Sequence, residues 1–185
     1  RDYLAMLDAE RPDIVVLCSR HPYDHLPQIE AAAARGIHLY CEKPMTAELA
    51  EADRIVALAE QHGIKLCMAH PARYALSFRT MKTMVDGGAI GTPLSIHGRG
   101  KNDHRGGGED LVVLGTHILD LQTYFFGSPS YAMADVTIDG RPIGPNDRCE
   151  TEEPIGSAAG DEVFAYFRFP AGVHGVFESR RGWAE

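Results

Sequence analysis

Basic residues are scarce in this sequence, and the deficit removes one large class of partners. Lys and Arg number 18 against 26 Asp and Glu, the formal charge is −8, and Arg180-Arg181 is the only short basic run. A surface that binds phosphate backbones needs clustered cations, so no nucleic-acid partner is expected. Long apolar runs are lacking too: none approaches the about 18 residues that cross a bilayer, so no membrane partner is expected. There are only four cysteines, without a CxxC spacing, and Cys18, Cys41 and Cys67 lie in or at the end of apolar, strand-like runs. That pattern predicts buried small residues in a reducing, cytoplasmic setting rather than disulfides or metal ligands. The nine histidines are scattered, with no HExxH or comparable cluster, which argues against a metal-dependent hydrolase and predicts no metal site. The chain opens Arg1-Asp2-Tyr3, without Met, so any leader would lie upstream.

What is present has an ordinary globular balance, 44% hydrophobic and 24% charged, with a mean hydropathy of −0.20. The 185 residues suffice for one sizeable core or two small domains. To about Met68, helix and strand alternate with short links. Leu4, Leu7 and Ala9 predict a helix stopped by Pro12, and Ile14 to Cys18 is a continuous apolar run, the pattern of a parallel strand covered on both faces. Asp24 is placed to cap a helix carrying Leu26, Ile29 and Ala33, Gly36 to end it, and Ile37 to Cys41 is the next strand. Thr46 precedes a segment in which Leu49, Ala52, Val56 and Ala59 recur at helical spacing. Gly63 closes that segment, and Ile64 to Ala69 is a third strand. This order predicts a doubly wound parallel sheet, whose ligands bind beyond the carboxyl ends of the strands.

After His70 the character changes. Phe78, Met81 and Val85 mark a helix that ends at Gly87-Gly88, and Leu94 to Gly98 predicts a strand. A loop rich in glycine and charge, Gly100 to Asp110, leads to a helix near Gly115 to Phe126. Longer strands follow at Met133 to Ile138, Val163 to Phe169 and Val173 to Ser179. Long strands gathered after helices predict a mainly antiparallel open sheet with helices on one face, hence a second domain. The expected division is 1–72 and 73–185, and the expected class is α/β.

Polar residues gather at three strand ends of the first domain: Ser19 to His25, Glu42-Lys43-Pro44, and His70 to Arg73. A lysine and an acid at a strand's carboxyl end, followed by a ring that fixes the backbone, present polar groups to a ligand. Further on, His117 and Asp120 stand three apart on a helix and share a face.

The segments CEKPMTAELAEADRIVALAEQHGIKLCMAHPARY (41–74), GAIGTPLSIHGRG (88–100) and LGTHILDLQTYFFG (114–127) resemble the family of glucose-fructose oxidoreductase, inositol dehydrogenase and MocA. The likeness runs over essentially the whole chain, and EKP, the helix after it and a later His-x-x-Asp in this order make it specific. It implies the C-terminal part of a Rossmann domain followed by an α+β domain with a largely antiparallel open sheet, also truncated. Family members open with a strand, a GxGxxG-type turn and a ribose-holding residue, and nothing before Ile14 supplies them. The resemblance therefore implies a chain that begins after the third Rossmann strand, without the pyrophosphate cradle. Such a piece is not expected to bind cofactor tightly or to be active by itself.

For the intact protein the resemblance implies NAD or NADP, hydride exchange with a hydroxyl-bearing carbon of a sugar or cyclic polyol, and a homo-oligomer, dimer or tetramer, formed through the open sheet face. Lys43 takes the position between nicotinamide and substrate, where an ammonium stabilises a developing alkoxide. His117 takes the position of the catalytic base. Cofactor contacts fall to Ser19, His21, His25, Glu42, Lys43 and Pro44, the last after a cis peptide bond, and substrate contacts to Lys43, His70, Arg73, His117 and Asp120. The loop with His104 and Arg105 is a candidate lid. One departure stands out: many relatives carry an aspartate four residues before the histidine, and here that residue is Val113. Either His117 works with Lys43 alone, or Asp110 folds back toward it, or the reaction has changed. Two rivals to the dehydrogenase follow, an NAD-dependent glycosidase-type relative working through transient oxidation, and a non-catalytic cofactor-binding sensor.

Overall fold

In a computed structural model the chain is described from residue 2 to residue 182. It divides between Ala69 and His70 into two compact units, three residues before the division expected from the sequence.

The first unit begins with α1 (Tyr3–Glu10), whose N-terminus is capped by Asp2 Oδ1 accepting from the Leu4 amide at 2.9 Å. Then come β1 (Ile14–Leu17), α2 (His25–Ala33), β2 (His38–Cys41), α3 (Leu49–His62) and β3 (Leu66–Met68). The three strands form one parallel sheet in the order β1-β2-β3, with Leu17 opposite Cys41 and Cys41 opposite Met68. Ile29, Ala32 and Ala33 of α2 and Ile55 of α3 pack with Leu17, Leu39 and Cys41 as the core. Gly63 ends α3 in the left-handed region at φ 64°, where a Cβ is disfavoured.

Three local expectations need correction. Asp24 makes no capping bond; a 3-10 turn, Pro22–Asp24, precedes α2, and the Asp24 carboxylate accepts from Ser19 Oγ at 3.0 Å. On α3 the expected stripe is rotated, since Leu49 is 87% and Val56 51% exposed while Ile55 is fully buried. An alanine-rich helix offers two overlapping stripes, and the one carrying Ile55 meets the core. The run Ile14 to Cys18 is not covered on both faces either: Ile14, Val16 and Cys18, which alternate along one face, are all exposed. Cys18 is thus no buried residue, unlike Cys41.

The second unit holds α4 (Leu76–Asp86), β4 (Ser95–Arg99), α5 (Gly108–Val113), α6 (Gly115–Phe126), β5 (Tyr131–Ile138), β6 (Arg141–Pro142), β7 (Cys149–Glu150), β8 (Ser157–Ala158), β9 (Glu162–Arg168) and β10 (His174–Arg180). Five strands form an open sheet in the order β4-β10-β9-β5-β6; β4 runs parallel to β10, and the other pairs are antiparallel. β7 and β8 make a separate antiparallel pair. Val163, Ala165 and Phe177 lie buried against Leu111, Ile118 and Leu119, so α5 and α6 cover one face. On the other face Tyr131, Met133 and Phe164 are exposed. The class is the expected α/β, a parallel sheet followed by a largely antiparallel open one with helices.

The glycine-rich segment departs from the expected loop. Its end is helical, and Gly106, Gly107 and Gly108 are buried. A Cβ on Gly108 would lie 1.9 Å from the Ala159 carbonyl oxygen, and one on Gly106 would lie 2.4 Å from the Arg180 carbonyl carbon. The three glycines let one backbone pack directly on another, which anchors this end of the segment. Among the described residues, no helix is long and apolar enough to cross a membrane.

Candidate active site

In the first unit the site is built on the strand ends. The β1-β2 ladder makes its last rung when the Glu42 amide donates to the Leu17 carbonyl at 2.9 Å, and the Ala69 amide donates to the Cys41 carbonyl at 2.8 Å, tying in the third tip. Glu42 and Lys43 follow at once, both half-buried. The Lys43–Pro44 bond is cis, and Pro44 itself is buried. Lys43 is therefore the more exposed member of that pair. Just before it, Cys41 is fully buried, and that burial, with the Glu42 charge beside it, pushes its thiol up to about 12. The thiol stays protonated and takes no part in nucleophilic chemistry.

The first tip is a hydrogen-bonded turn. Ser19 Oγ donates to Asp24 and accepts from the His21 amide at 3.3 Å, while the His21 side chain is exposed. Ser19 thus spends its hydroxyl on the turn, and His21 is the group left facing outward. His25 does not match the expectation of a cofactor contact. Its ring is 0% exposed, with Nδ1 3.0 Å from the Met45 carbonyl oxygen and Nε2 2.9 Å from that of Ser19. A ring without exposed surface cannot touch a bound molecule.

The second unit assembles a different set. His117, in the first turn of α6, brings Nδ1 to 3.4 Å from Nδ1 of His70, the rings edge to face at 5.2 Å between centroids. One turn further on, Asp120 is paired with Arg73: Nε donates to Oδ2 at 2.9 Å and Nη2 donates to Oδ1, a two-pronged contact with 11% of the Asp120 side chain exposed. Asp120 is engaged by arginine, while His70 is a polar neighbour of the His117 ring. Sequence reasoning missed Tyr124, over whose ring the Arg73 guanidinium lies at 5.6 Å. Its signal was available: Tyr124 is four residues after Asp120 and shares its face.

The acids before His117 are committed elsewhere. Asp110 is fully buried, and its Oδ2 accepts from the Lys101 amide at 2.7 Å and the Ser179 hydroxyl at 2.8 Å. Glu109 accepts from the amides of Glu152 and Glu153. Both hold the glycine segment to its neighbours, which removes the alternative of Asp110 folding back. Around the expected lid, Arg105 is bound to Asp103, whose carboxyl it holds well below the usual carboxylate range, and His104 Nε2 lies 3.4 Å from Glu152.

His21, Glu42 and Lys43 offer polar groups beyond the ends of parallel strands, the edge at which ligands of such sheets bind, and could hold part of a nicotinamide cofactor. Among the described residues, no strand of this sheet passes through a glycine turn into a helix, so a pyrophosphate cradle is not among them. No cluster of three or more His, Cys, Asp or Glu able to hold a metal ion occurs among them either.

Comparison with known proteins covers both units. Residues 1–70 match the family model described as oxidoreductase family, NAD-binding Rossmann fold, and residues 78–185 match the GFO/IDH/MocA C-terminal domain. A D-apiose dehydrogenase of Paraburkholderia graminis is 34% identical over 137 residues, 69% of this chain and 36% of that protein. A myo-inositol 2-dehydrogenase of Thermotoga maritima is 25% identical over 98% of this chain and 53% of its own length. The crystal structure of myo-inositol 2-dehydrogenase from Lactobacillus plantarum superposes with a TM-score of 0.74 at 23% identity, covering 97% of this chain and 54% of that one, and so shares the fold. The chain spans about half, or less, of the length of these relatives.

Proposed function

The chain belongs to the Gfo/Idh/MocA family of oxidoreductases, with its NAD-binding Rossmann domain, and from that premise we propose an NAD- or NADP-dependent dehydrogenase acting on a secondary hydroxyl of a sugar or cyclic polyol. The observation that carries this reading is Lys43, half-buried one residue beyond the last ladder bond of a parallel sheet, where a ligand of such a sheet binds. When bound, the nicotinamide supplies the hydride acceptor.

The protein's own groups handle the oxygen. The Lys43 ammonium donates to the substrate hydroxyl and stabilises the negative charge that grows on its oxygen as the carbon loses hydride. His117 takes the hydroxyl proton. Only one hydrogen fits between its Nδ1 and that of His70; in the tautomer in which His117 donates it, Nε2 is the nitrogen that accepts the hydroxyl proton. In that tautomer His70 holds the ring of the base, a task that Val113 cannot perform. Arg73, held by Asp120, adds a guanidinium for substrate hydroxyls. His21 and Glu42 are the cofactor-facing groups.

The test is a screen of polyols and sugars with the whole protein, following NADH and NADPH formation beside a Lys43→Ala variant. Loss of an electrostatic contact of this kind lowers kcat by about a hundredfold or more. A substrate turned over equally well by Lys43→Ala would overturn the mechanism, and turnover without net reduced cofactor would point to transient oxidation instead.

A further inference from the structure

Among the described residues His25 is the one fully buried histidine, and the mechanism above makes no use of it. It opens α2, a helix fixed by the buried Ile29, Ala32 and Ala33, and its ring reaches into the gap between two strand tips. There the ladder has stopped. Beyond the Glu42 amide and the Leu17 carbonyl the two chains run into their loops, and the imidazole links these, with the Ser19 carbonyl oxygen at 2.9 Å on one side and that of Met45 at 3.0 Å on the other. The ring acts as a side-chain rung continuing the sheet past its end. Lys43 lies between the two rungs, one residue after the Glu42 bond and two before the Met45 bond.

We propose that His25 is a positioning residue for Lys43: by holding the Ser19 and Met45 carbonyls from one rigid ring it fixes the backbone that carries the lysine. The role of Lys43 rests on the dehydrogenase reading; the clamp itself does not. Both partners are acceptors, so the full clamp needs a hydrogen on each ring nitrogen, and a side chain with one donor group can hold only part of it. Phenylalanine fills the same space and holds neither carbonyl.

The experiment measures backbone order by 15N relaxation in this chain, as wild type, His25→Phe and His25→Gln. In His25→Phe the order parameters of Lys43 and Met45 should fall from the rigid range, near 0.85, toward the flexible range below about 0.6. Leu39 and Tyr40, inside β2, should keep theirs. His25→Gln, which still offers a donor, should recover part of the order at Lys43 and Met45. Unchanged order at Lys43 and Met45 in His25→Phe overturns the clamp. So does an equal loss throughout β2 in both variants, which would make His25 a packing residue only. In an active enzyme the same variants should lower kcat and leave the substrate KM nearly unchanged. Because the relaxation measurement needs no substrate, it separates failure of the clamp from failure of the dehydrogenase assignment.

Discussion

Cys41 and Lys43 are two residues apart, and the contrast between them shows how finely the end of β2 is divided. Cys41 is sealed in the core and its thiol is raised to about 12 by burial, with Glu42 adding to the effect. Lys43 emerges from the same strand half-exposed. A thiol reagent at neutral pH should therefore modify the exposed Cys18 and Cys149 first and Cys41 last. Because the raised value favours the neutral thiol, Cys41 should gain reactivity only as the pH climbs toward about 12 or the unit unfolds. Rapid labelling of Cys41 in folded protein would contradict this. The sequence offered Lys43 and His117 as candidates because the family resemblance points to single residues. It could not reveal that Asp120 is taken by Arg73, 47 residues away, or that His25 is sealed beneath a chain that returns 20 residues later at Met45.

Among the elements, periodicity located the long helices and the principal strands, because each is amphipathic or apolar on its own account. It failed where burial depends on a neighbour. The outer face of β1 reads as core from its composition, yet Ile14 and Val16 are 60% and 58% exposed. The helix α5 was unreadable because three glycines in a row signal a loop, and only their backbone contacts with Ala159 and Arg180 show why glycine is required. Gly108→Ala makes that requirement measurable. Its methyl would meet a backbone carbonyl at 1.9 Å, so α5 or the Ala159 segment must shift. Overpacking of this kind costs about 1–3 kcal/mol. Thermal unfolding should show a lower Tm for the second unit, and an unchanged Tm would refute the backbone-contact account.

For the molecule as a whole, the sheet of the second unit raises the question of assembly. One face is covered by α5 and α6, while the other presents Tyr131, Met133 and Phe164, exposed by 53%, 57% and 49%. We propose that a second copy pairs with this uncovered face, which a face-to-face contact would cover symmetrically. Light scattering coupled to gel filtration should give a dimer or tetramer that Phe164→Glu shifts toward monomer. A wild-type monomer at micromolar concentration would remove the proposal.

One feature of that sheet reaches into how the chain folds. Among the described residues β4 pairs with β10 alone, and Arg99 on the first meets Glu178 on the second across 79 residues of sequence. The first unit, by contrast, pairs each strand with the next in order. On a ribosome the parallel sheet can form as it emerges, whereas β4 must wait, unpaired at one edge, until nearly the last of these residues has been made. Contacts of such separation close slowly. Between the synthesis of β4 and that of β10, the growing polypeptide carries an open strand edge that a holding chaperone would be suited to shield.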